Sequence, residues 1–337
     1  MLRSLIALSV TFCLSLAMGG CNKSDSAKPA DSSSSSGSSS TTPAPASKGT
    51  IGVSLLTLSN PFFKVIGDTI AADAAKQGYD TIVVSGDFDV ARQQNQVKDF
   101  IVRHCAAIVL CPCDSRAIGP AIKEANDAHI PVFTADIATL AEGVKVVCHI
   151  ATDNYSGGKQ AGAAMIEALG EAGGKIVILD FKQAESCLLR VKGFKEVIEA
   201  YNAGRSSGKI EIVAELNGGG KSDQGYKAAE DALQSQPELA GIFAINDPSA
   251  LGARAAMEKA NKADRIVLIG FDGQPDGKQA IKEGKIYADP IQFPDRIGAI
   301  TVQTIIKYFN GETVAPNQLI GTELYRKADA LKDPTVK

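Results

Sequence analysis

The chain has 337 residues, of which 45% are hydrophobic and 22% are charged, with a formal net charge of −3 and a pI near 5.8. This is ordinary globular material, long enough for two domains. Proteins that bind nucleic acids usually carry a basic face, so the slight acidity argues against a nucleic-acid partner. Beyond residue 50 no apolar run reaches about 18 residues, so we expect no transmembrane helix there.

The first 48 residues predict an export signal followed by a tether. Arg3 precedes an apolar stretch over 5–17, and Met18-Gly-Gly-Cys21 follows it. A Cys after two Gly is typical of the acylation site of bacterial lipoproteins. The alternative is ordinary signal cleavage beside an incidental Cys. Residues 22–48 are mostly Ser, Pro, Ala and Thr, which bury too little apolar surface to fold. We therefore expect a signal over 1–21 with lipidation at Cys21, and a disordered tether over 22–48.

The cysteines downstream of Cys21 cannot all form disulfides, because their number is odd: Cys105, Cys111, Cys113, Cys148 and Cys187. Cys111-Pro-Cys113, with Cys148 and two His, suggests a metal site on one interpretation. On the other, which we favour, these Cys are small apolar fillers, because the paired C-x₂-C elements of a zinc ribbon are absent. We predict no metal and no cofactor.

From residue 50 the chain alternates strand-like runs with segments of helical period. The strand-like runs are 50–56, 81–85, 107–110, 131–134, 175–179, 211–216, 241–245 and 265–271. The helical segments are 61–77, 90–104, 116–128, 154–172, 185–203, 222–236 and 248–260. Most of the strand-like runs are continuously apolar, as in parallel strands covered on both faces. The pattern predicts right-handed βαβ units and an α/β fold with mostly parallel sheets.

Three places interrupt the alternation. The strand-like segment 144–150 follows a short polar link instead of a helix, and leads into a helix start at Thr152-Asp-Asn154. A strand-like piece over 286–293 runs directly into a helix that begins at Pro294. A third break lies near 320–322. We interpret the three breaks as crossings between two lobes.

Several strand-like runs end in side chains that can hold sugar hydroxyls. Asp136, Asn246-Asp247 and Asp272 each follow such a run. In open α/β sheets ligands bind beyond the carboxyl ends of the strands, so these side chains predict a binding crevice. Asn60-Pro-Phe-Phe63 closes the first strand. It has two interpretations: a helix cap with two core aromatics, or an amide and a flat apolar face offered to a sugar.

Motifs for nucleotide binding and catalysis are incomplete. Gly218-Gly-Gly-Lys-Ser222 resembles the end of a P-loop, but Glu215 stands where that pattern needs Gly. No G-x-G-x-x-G follows the first strand, and no G-x-S-x-G occurs. The three His are scattered and form no acid–base constellation. We predict that the protein is not an enzyme.

The order of these motifs resembles that of the type I periplasmic sugar-binding proteins of ABC importers, the ribose-binding proteins in particular. The matching motifs are Asn60-Pro-Phe-Phe63, Asp114-Ser115, Ile130-Pro-Val132, Thr152-Asp-Asn154, Asn246-Asp247, Gly270-Phe-Asp-Gly273 and Gln292-Phe-Pro-Asp295, within 50–326. The resemblance implies two Rossmann-like lobes joined by a three-strand hinge. The N-terminal lobe would comprise 49–151 plus 293–321, and the C-terminal lobe 152–292 plus 322–337.

Matched position by position, the resemblance implies a binding site at the cleft. Its residues would be Asn60, Phe62, Phe63, Asp136, Arg190, Asn246, Phe271, Asp272 and Gln292. The polar members would hold hydroxyls, while Phe62, Phe63 and Phe271 would form aromatic walls. A competing interpretation places Arg190 on the charged, exposed face of its helix.

Three positions depart from the ribose pattern. Ile137 replaces an Arg, Leu56 replaces a small hydroxyl residue, and Gly220 stands near a missing aromatic. We therefore expect a pentose or hexose with a less hydroxylated face, such as a deoxy or methyl-bearing carbon.

The resemblance implies a periplasmic, monomeric binding lipoprotein that touches the membrane only through its lipid. It would deliver a monosaccharide to an inner-membrane ABC permease with its ATPase. Alternatively, it would report a sugar or autoinducer-2 to a chemoreceptor or histidine kinase. A nucleotide-dependent transferase is the third and weakest interpretation.

Overall fold

The computed structural model describes residues 47–337, so the predicted signal, Cys21 and all but the last two residues of the predicted tether lie outside the described residues. Within that range the strands are β1 (Thr50–Leu55), β2 (Asp80–Ser85), β3 (Ala107–Leu110), β4 (Val132–Ala135), β5 (Cys148–Thr152), β6 (Gly174–Asp180), β7 (Ile210–Asn217), β8 (Leu239–Ala244), β9 (Val267–Ile269), β10 (Ala288–Ile291), β11 (Asn317–Ile320) and β12 (Glu323–Arg326). The helices are α1 (Pro61–Lys76), α2 (Val90–Val102), α3 (Gly119–Asp127), α4 (Asn154–Leu169), α5 (Glu185–Asn202), α6 (Ser222–Ser235), α7 (Asp247–Lys259), α8 (Pro275–Lys282), α9 (Pro294–Phe309) and α10 (Lys327–Ala330).

The strands form two six-stranded sheets, in the orders β11-β5-β4-β3-β1-β2 and β12-β10-β9-β8-β6-β7. Neighbouring strands are parallel except β10 and β12, which are antiparallel. The chain passes between the sheets after β5, after β10 and between β11 and β12. Two mostly parallel sheets flanked by helices and joined at three crossings confirm the predicted fold class.

The first βαβ unit shows why these residues adopt this fold. Strand β1 is buried along almost its whole length, as its continuous apolar run predicts. Asn60 then caps α1, Pro61 occupies the first turn, and the chain leaves the helix at Gly78 with a φ of 84°. Each such unit places a strand-to-helix turn at the carboxyl edge of its sheet.

Some element bounds differ from the predictions. β5 begins at Cys148, and the apolar residues just before it run as a loop. Helix α8 was not predicted, because it spans only 8 residues and buries three of them: Gly277, Ala280 and Ile281. The short C-terminal β12 and α10 were also missed, since four-residue elements carry no detectable period.

The described helices include none long and apolar enough to cross a membrane. All five cysteines in the described range are free thiols and are buried. They occupy core positions at strand ends and helix starts, where burial raises the pKa of the Cys111 thiol well above its usual value.

Candidate functional site

A cavity lies between the carboxyl ends of the two sheets, with about 400 Å³ of empty space including the part open to solvent. The lining residues are Leu56, Asn60, Phe62, Phe63, Phe88, Asp136, Ile137, Phe181, Ala184, Ser186, Cys187, Arg190, Gly220, Asn246, Asp272 and Gln292. Eight of the nine residues that the sequence predicts for the site are therefore brought together here.

Asp136 follows β4, and its carboxylate forms no ion pair among the described residues. The side chain is 3% exposed, and its Oδ1 has no hydrogen-bond partner among the described residues. Burial raises the pKa of Asp136 to about 7; Arg190 lowers it, whereas Asp272 and Glu185 raise it further. The next residue, Ile137, brings no charge. An unpartnered buried acceptor is costly unless a bound group supplies a donor.

Arg190 is buried at 3% exposure, which excludes the competing interpretation of an exposed helix position. Its Nε donates to Asn154 Oδ1 at 2.8 Å, and its Nη1 donates to the Ile245 carbonyl at 2.6 Å and to Asp272 Oδ1 at 3.0 Å. The N–H groups on Nη2 have no protein acceptor among the described residues. The guanidinium is thus fixed in orientation and keeps one edge for a ligand.

Asp272 follows β9 and organises the second lobe's side of the cavity. Its Oδ1 accepts hydrogen bonds from Arg190 and from Gln292 Nε2 at 2.6 Å, and its Oδ2 accepts one from Gln274 at 3.1 Å. Burial raises the pKa of Asp272, although Arg190 and both amides act against that shift. Gln292 keeps a free Oε1, which has no partner among the described residues.

The two asparagines act as helix caps and also line the cavity. Asn60 Oδ1 accepts from the Phe62 N–H at 2.9 Å, which leaves its amide nitrogen for a ligand. Asn246 Oδ1 accepts from the Ser249 N–H at 3.0 Å, and its Nδ2 donates to the Gly220 carbonyl at 3.1 Å. The interpretation of Asn60 as a cap and its interpretation as a site residue are therefore compatible.

Three strained backbone positions lie at the cavity. Seven described residues other than Gly have a positive φ, and three of them line it: Phe88 at 62°, Asp136 at 65° and Asp272 at 111°. Such conformations persist only where the surroundings enforce them, and they cluster at functional sites.

The aromatic walls differ from the prediction. Phe62 and Phe63 line the cavity edge to face, with ring centroids 5.2 Å apart. Phe271 does not line it; the ring is fully buried behind Arg190, whose guanidinium lies 3.9 Å from its centroid. Phe271 supports the arginine and is no wall, which corrects the predicted role.

Phe88 and Phe181 were missed by the sequence reasoning. They follow β2 and β6, and their rings meet edge to face across the cleft at 5.9 Å. The rule that ligands bind beyond strand ends could have found them, because each stands within three residues of its strand's last residue.

Leu56, Ile137, Ala184 and Cys187 add an apolar surface to the cavity. Burial raises the pKa of the Cys187 thiol to about 12, so this side chain stays neutral. The cavity therefore offers carboxylates, amides and a guanidinium together with aliphatic and aromatic faces. This combination suits a small ligand with both hydroxyl groups and C–H surface.

A family model described as a periplasmic binding protein domain matches residues 51–313. The chain belongs to this family. It is 35% identical over 281 residues to the ribose import binding protein RbsB of Salmonella typhimurium, covering 83% of this chain and 92% of that protein. It is 34% identical to the D-apiose import binding protein of Paraburkholderia graminis, with coverage of 83% and 88%.

Solved structures agree. An ABC transporter solute-binding protein from Agrobacterium vitis with bound D-fucose superposes with a TM-score of 0.77 at 30% identity, covering 85% of this chain and 98% of that one. These findings confirm the predicted family, its periplasmic setting and the role of a sugar-binding transport protein. The relatives are transport components, not enzymes, as predicted.

Proposed function

We propose that the protein closes its two lobes over one monosaccharide, held by the nine-residue set predicted from the sequence, with Phe271 in a supporting role. The observation that carries the proposal is the pair of unpartnered buried acceptors, Asp136 Oδ1 and Gln292 Oε1, in the cavity between the lobes. A sugar's hydroxyls supply the missing donors. Asn60, Arg190 and Asn246 supply donors to its oxygens.

The expected affinity follows from the number of charge-assisted contacts. Hydrogen bonds to charged groups contribute about 1.5–3 kcal/mol each. Four or five of them, reduced by the cost of ordering the ligand and the lobes, permit a Kd in the micromolar range or below.

The ligand class is a pentose or hexose with one less hydroxylated face. Leu56, Ile137 and Cys187 give no partner to a hydroxyl, and a hydroxyl placed against them loses its water without replacement. The relatives support a pentose or hexose, since they are a ribose import binding protein, a D-apiose import binding protein and a solute-binding protein with bound D-fucose, a 6-deoxy hexose.

Titration calorimetry tests the proposal. The panel is D-ribose, 2-deoxy-D-ribose, D-apiose, D-galactose and D-fucose. We expect at least one Kd in the micromolar range, and a preference for the deoxy member of a matched pair. If every sugar binds more weakly than about 1 mM, which corresponds to only about 4 kcal/mol, the proposed ligand class is wrong.

Asp272→Ala identifies the site within the same experiment. The substitution removes the acceptor of Arg190 and Gln292, and we expect the affinity to fall by about 2–4 kcal/mol. Asp99→Asn, which changes an exposed carboxylate on α2, is the matched control. Equal affinities in both variants would remove Asp272 from the site.

The receiving partner is an ABC permease with its ATPase. Closure of the lobes creates a composite surface that neither lobe presents alone, and ligand binding shifts the population towards it. Sugar-dependent stimulation of ATP hydrolysis by the reconstituted transporter is the expected result. Stimulation of a histidine kinase or chemoreceptor instead would assign the protein to sensing.

The protein acts as a monomer tethered by an acyl group on Cys21. The order of apolar stretch, Gly-Gly-Cys and Ser-rich tether supports this arrangement. Cys21→Ser should move the protein from the membrane fraction to the soluble periplasmic fraction. Unchanged membrane association would favour ordinary signal cleavage and another attachment.

A further inference from the structure

Helix α5 brings Cys187 and Arg190 into the cavity, yet its first turn has no cap of its own. The N-cap position is Ala184, which has no side-chain acceptor. The first backbone N–H groups of a helix have no partner within the helix, and a nearby Ser, Thr, Asp or Asn usually satisfies one of them.

The acceptor comes from the other lobe. Ser115 lies in the turn between β3 and α3, and its Oγ accepts a hydrogen bond from the Glu185 N–H, the first of α5, at 2.9 Å. The Ser115 N–H donates to the Gln183 carbonyl at 2.8 Å. Ser115 is 1% exposed, so water does not compete at this contact in the closed form.

Ser115 is held firmly within its own lobe. Its carbonyl accepts hydrogen bonds from the Leu140 N–H at 2.7 Å and from Thr139 Oγ1 at 3.0 Å. The first lobe therefore holds the acceptor of the Glu185 N–H in a fixed position.

None of these hydrogen bonds uses an atom of the predicted sugar contacts. The two that join Ser115 to Gln183 and Glu185 depend on the distance between the lobes, since their donors and acceptors lie on opposite sides of the cleft. When the lobes separate, the first turn of α5 loses an acceptor, and the helix that positions Arg190 is left without this cap.

We propose that Ser115 is a positioning residue that caps α5 from the opposite lobe, so that closing the cleft completes the helix that holds Arg190. The proposal rests on the closure assumed in the proposed function. On this proposal, Ser115 raises the fraction of molecules that are closed, whether or not a sugar is bound.

Cross-linking without sugar tests the proposal. Phe88→Cys and Lys221→Cys place thiols across the cleft mouth, where the Lys221 ammonium lies 4.1 Å from the Phe88 ring centroid. A short bismaleimide joins these thiols only while the lobes are closed, so its rate measures the closed population. The native thiols of the described range are buried and react slowly.

In this double-cysteine parent, Ser115→Ala should slow cross-linking by about threefold to thirtyfold, the range expected for a lost helix cap. Ser115→Thr, which keeps the hydroxyl, should restore the rate. Thr139→Ala, which removes a bond to Ser115 inside one lobe, should change the rate less than Ser115→Ala does.

Equal cross-linking rates for the parent and for its Ser115→Ala and Ser115→Thr variants would overturn the proposal, as would a parent that never cross-links. Circular dichroism establishes that each variant is folded, and Ser115→Gly replaces Ser115→Ala if the latter is not. The cross-linking test contains no sugar, so its outcome does not depend on the ligand. If the protein bound no monosaccharide but its cross-linking rate still depended on Ser115, the proposed function would be wrong and the Ser115 proposal would stand.

Discussion

At the scale of single residues, the unusual feature is a pocket with two buried carboxylates and one guanidinium. Arg190 pairs with Asp272, and Asp136 keeps an oxygen without any partner among the described residues. The free energy that a buried charge costs is therefore recovered only when a ligand donates to it. This dependence gives the site two predictions.

The first concerns pH. Asp136 has a pKa of about 7 in the empty cleft, and a hydroxyl donating to its carboxylate lowers that pKa on binding. Binding then releases a proton, so affinity is highest above pH 7 and falls as the pH drops below 7. We expect a Kd that rises by up to about tenfold per pH unit between about pH 7 and 5.

Calorimetry in buffers of different ionisation enthalpy measures the released proton directly. Asp136→Asn should abolish the pH dependence and weaken binding. A Kd that falls on acidification would show instead that the protonated carboxyl donates to the ligand.

The second prediction concerns Ile137, which is 1% exposed beside Asp136. Ile137→Arg places a cation next to the carboxylate and lowers the pKa of Asp136, so the dependence on pH near 7 should disappear. Preference should also move towards the fully hydroxylated member of each sugar pair. Ile137→Val, which keeps the apolar wall, is the control; identical behaviour of the two variants would contradict the assignment.

Sequence reasoning located most of this site but could not assign the contacts. Asp136, Asn246 and Asp272 were found because each follows a strand, and that rule needs no coordinates. Phe271 was predicted as a cavity wall because the sequence does not reveal that Arg190 lies between its ring and the cavity. Phe88 and Phe181 approach each other from different lobes, a proximity that no local pattern contains.

At the scale of elements, a carboxyl pair joins helix α7 to hinge strand β10. Asp247 and Asp289 are 1% and 0% exposed, and Asp247 Oδ1 and both Asp289 oxygens lack donors among the described residues. Burial raises the pKa of both carboxyls, and Asp272 adds to the effect. Asp289 raises the pKa of Asp247 further, whereas Asp247 lowers that of Asp289. The pair therefore holds a shared proton.

Stability should depend on that proton. Because the folded pKa values lie above the unfolded ones, the stabilising contribution is complete at acidic pH and is lost as the pH rises through the folded values. Asp289→Asn supplies a permanent donor. At about pH 8 it should add about 1–2 kcal/mol to the free energy of unfolding and raise Tm by several degrees. At about pH 4.5 the gain should be much smaller.

Differential scanning fluorimetry at both pH values measures this effect. The exposed Asp127→Asn on α3 is the matched control. A gain of equal size at the two pH values would mean that the pair does not share a titrating proton.

Helices and strands with a strong period were predictable, and short ones were not. α1, α5 and α7 agree with the sequence to within one or two residues at each end, since a long helical period defines all three and Asn caps also begin α1 and α7. β5 was placed too early because Val144 and Val146 resemble a strand but lie in a loop that packs on the first sheet. Tertiary packing decided that boundary.

At the scale of the whole molecule, two sheets share three crossings, and the proposed motion is a hinge at those crossings. The predicted lobe boundaries are consistent with the sheet order. They stay a prediction until an experiment detects the two lobes moving relative to each other. Small-angle scattering should show a smaller radius of gyration with the best-binding sugar of the panel. An unchanged radius would indicate that the protein is closed before it binds.

Binding should also stabilise the closed molecule. A sugar at about 100 times its Kd adds about 2.7 kcal/mol to the free energy of unfolding, which raises Tm. The Asp272→Ala variant should lose this thermal shift at the same sugar concentration. Retention of the full shift would place the binding site elsewhere.

The last two strands have a consequence for how the two halves are completed. β11 lies at the edge of the first sheet beside β5, and β12 lies at the edge of the second beside β10. Only Gly321 and Thr322 separate these strands, so one short segment supplies an edge strand to both sheets. A change within residues 317–326 should therefore disturb both halves at once.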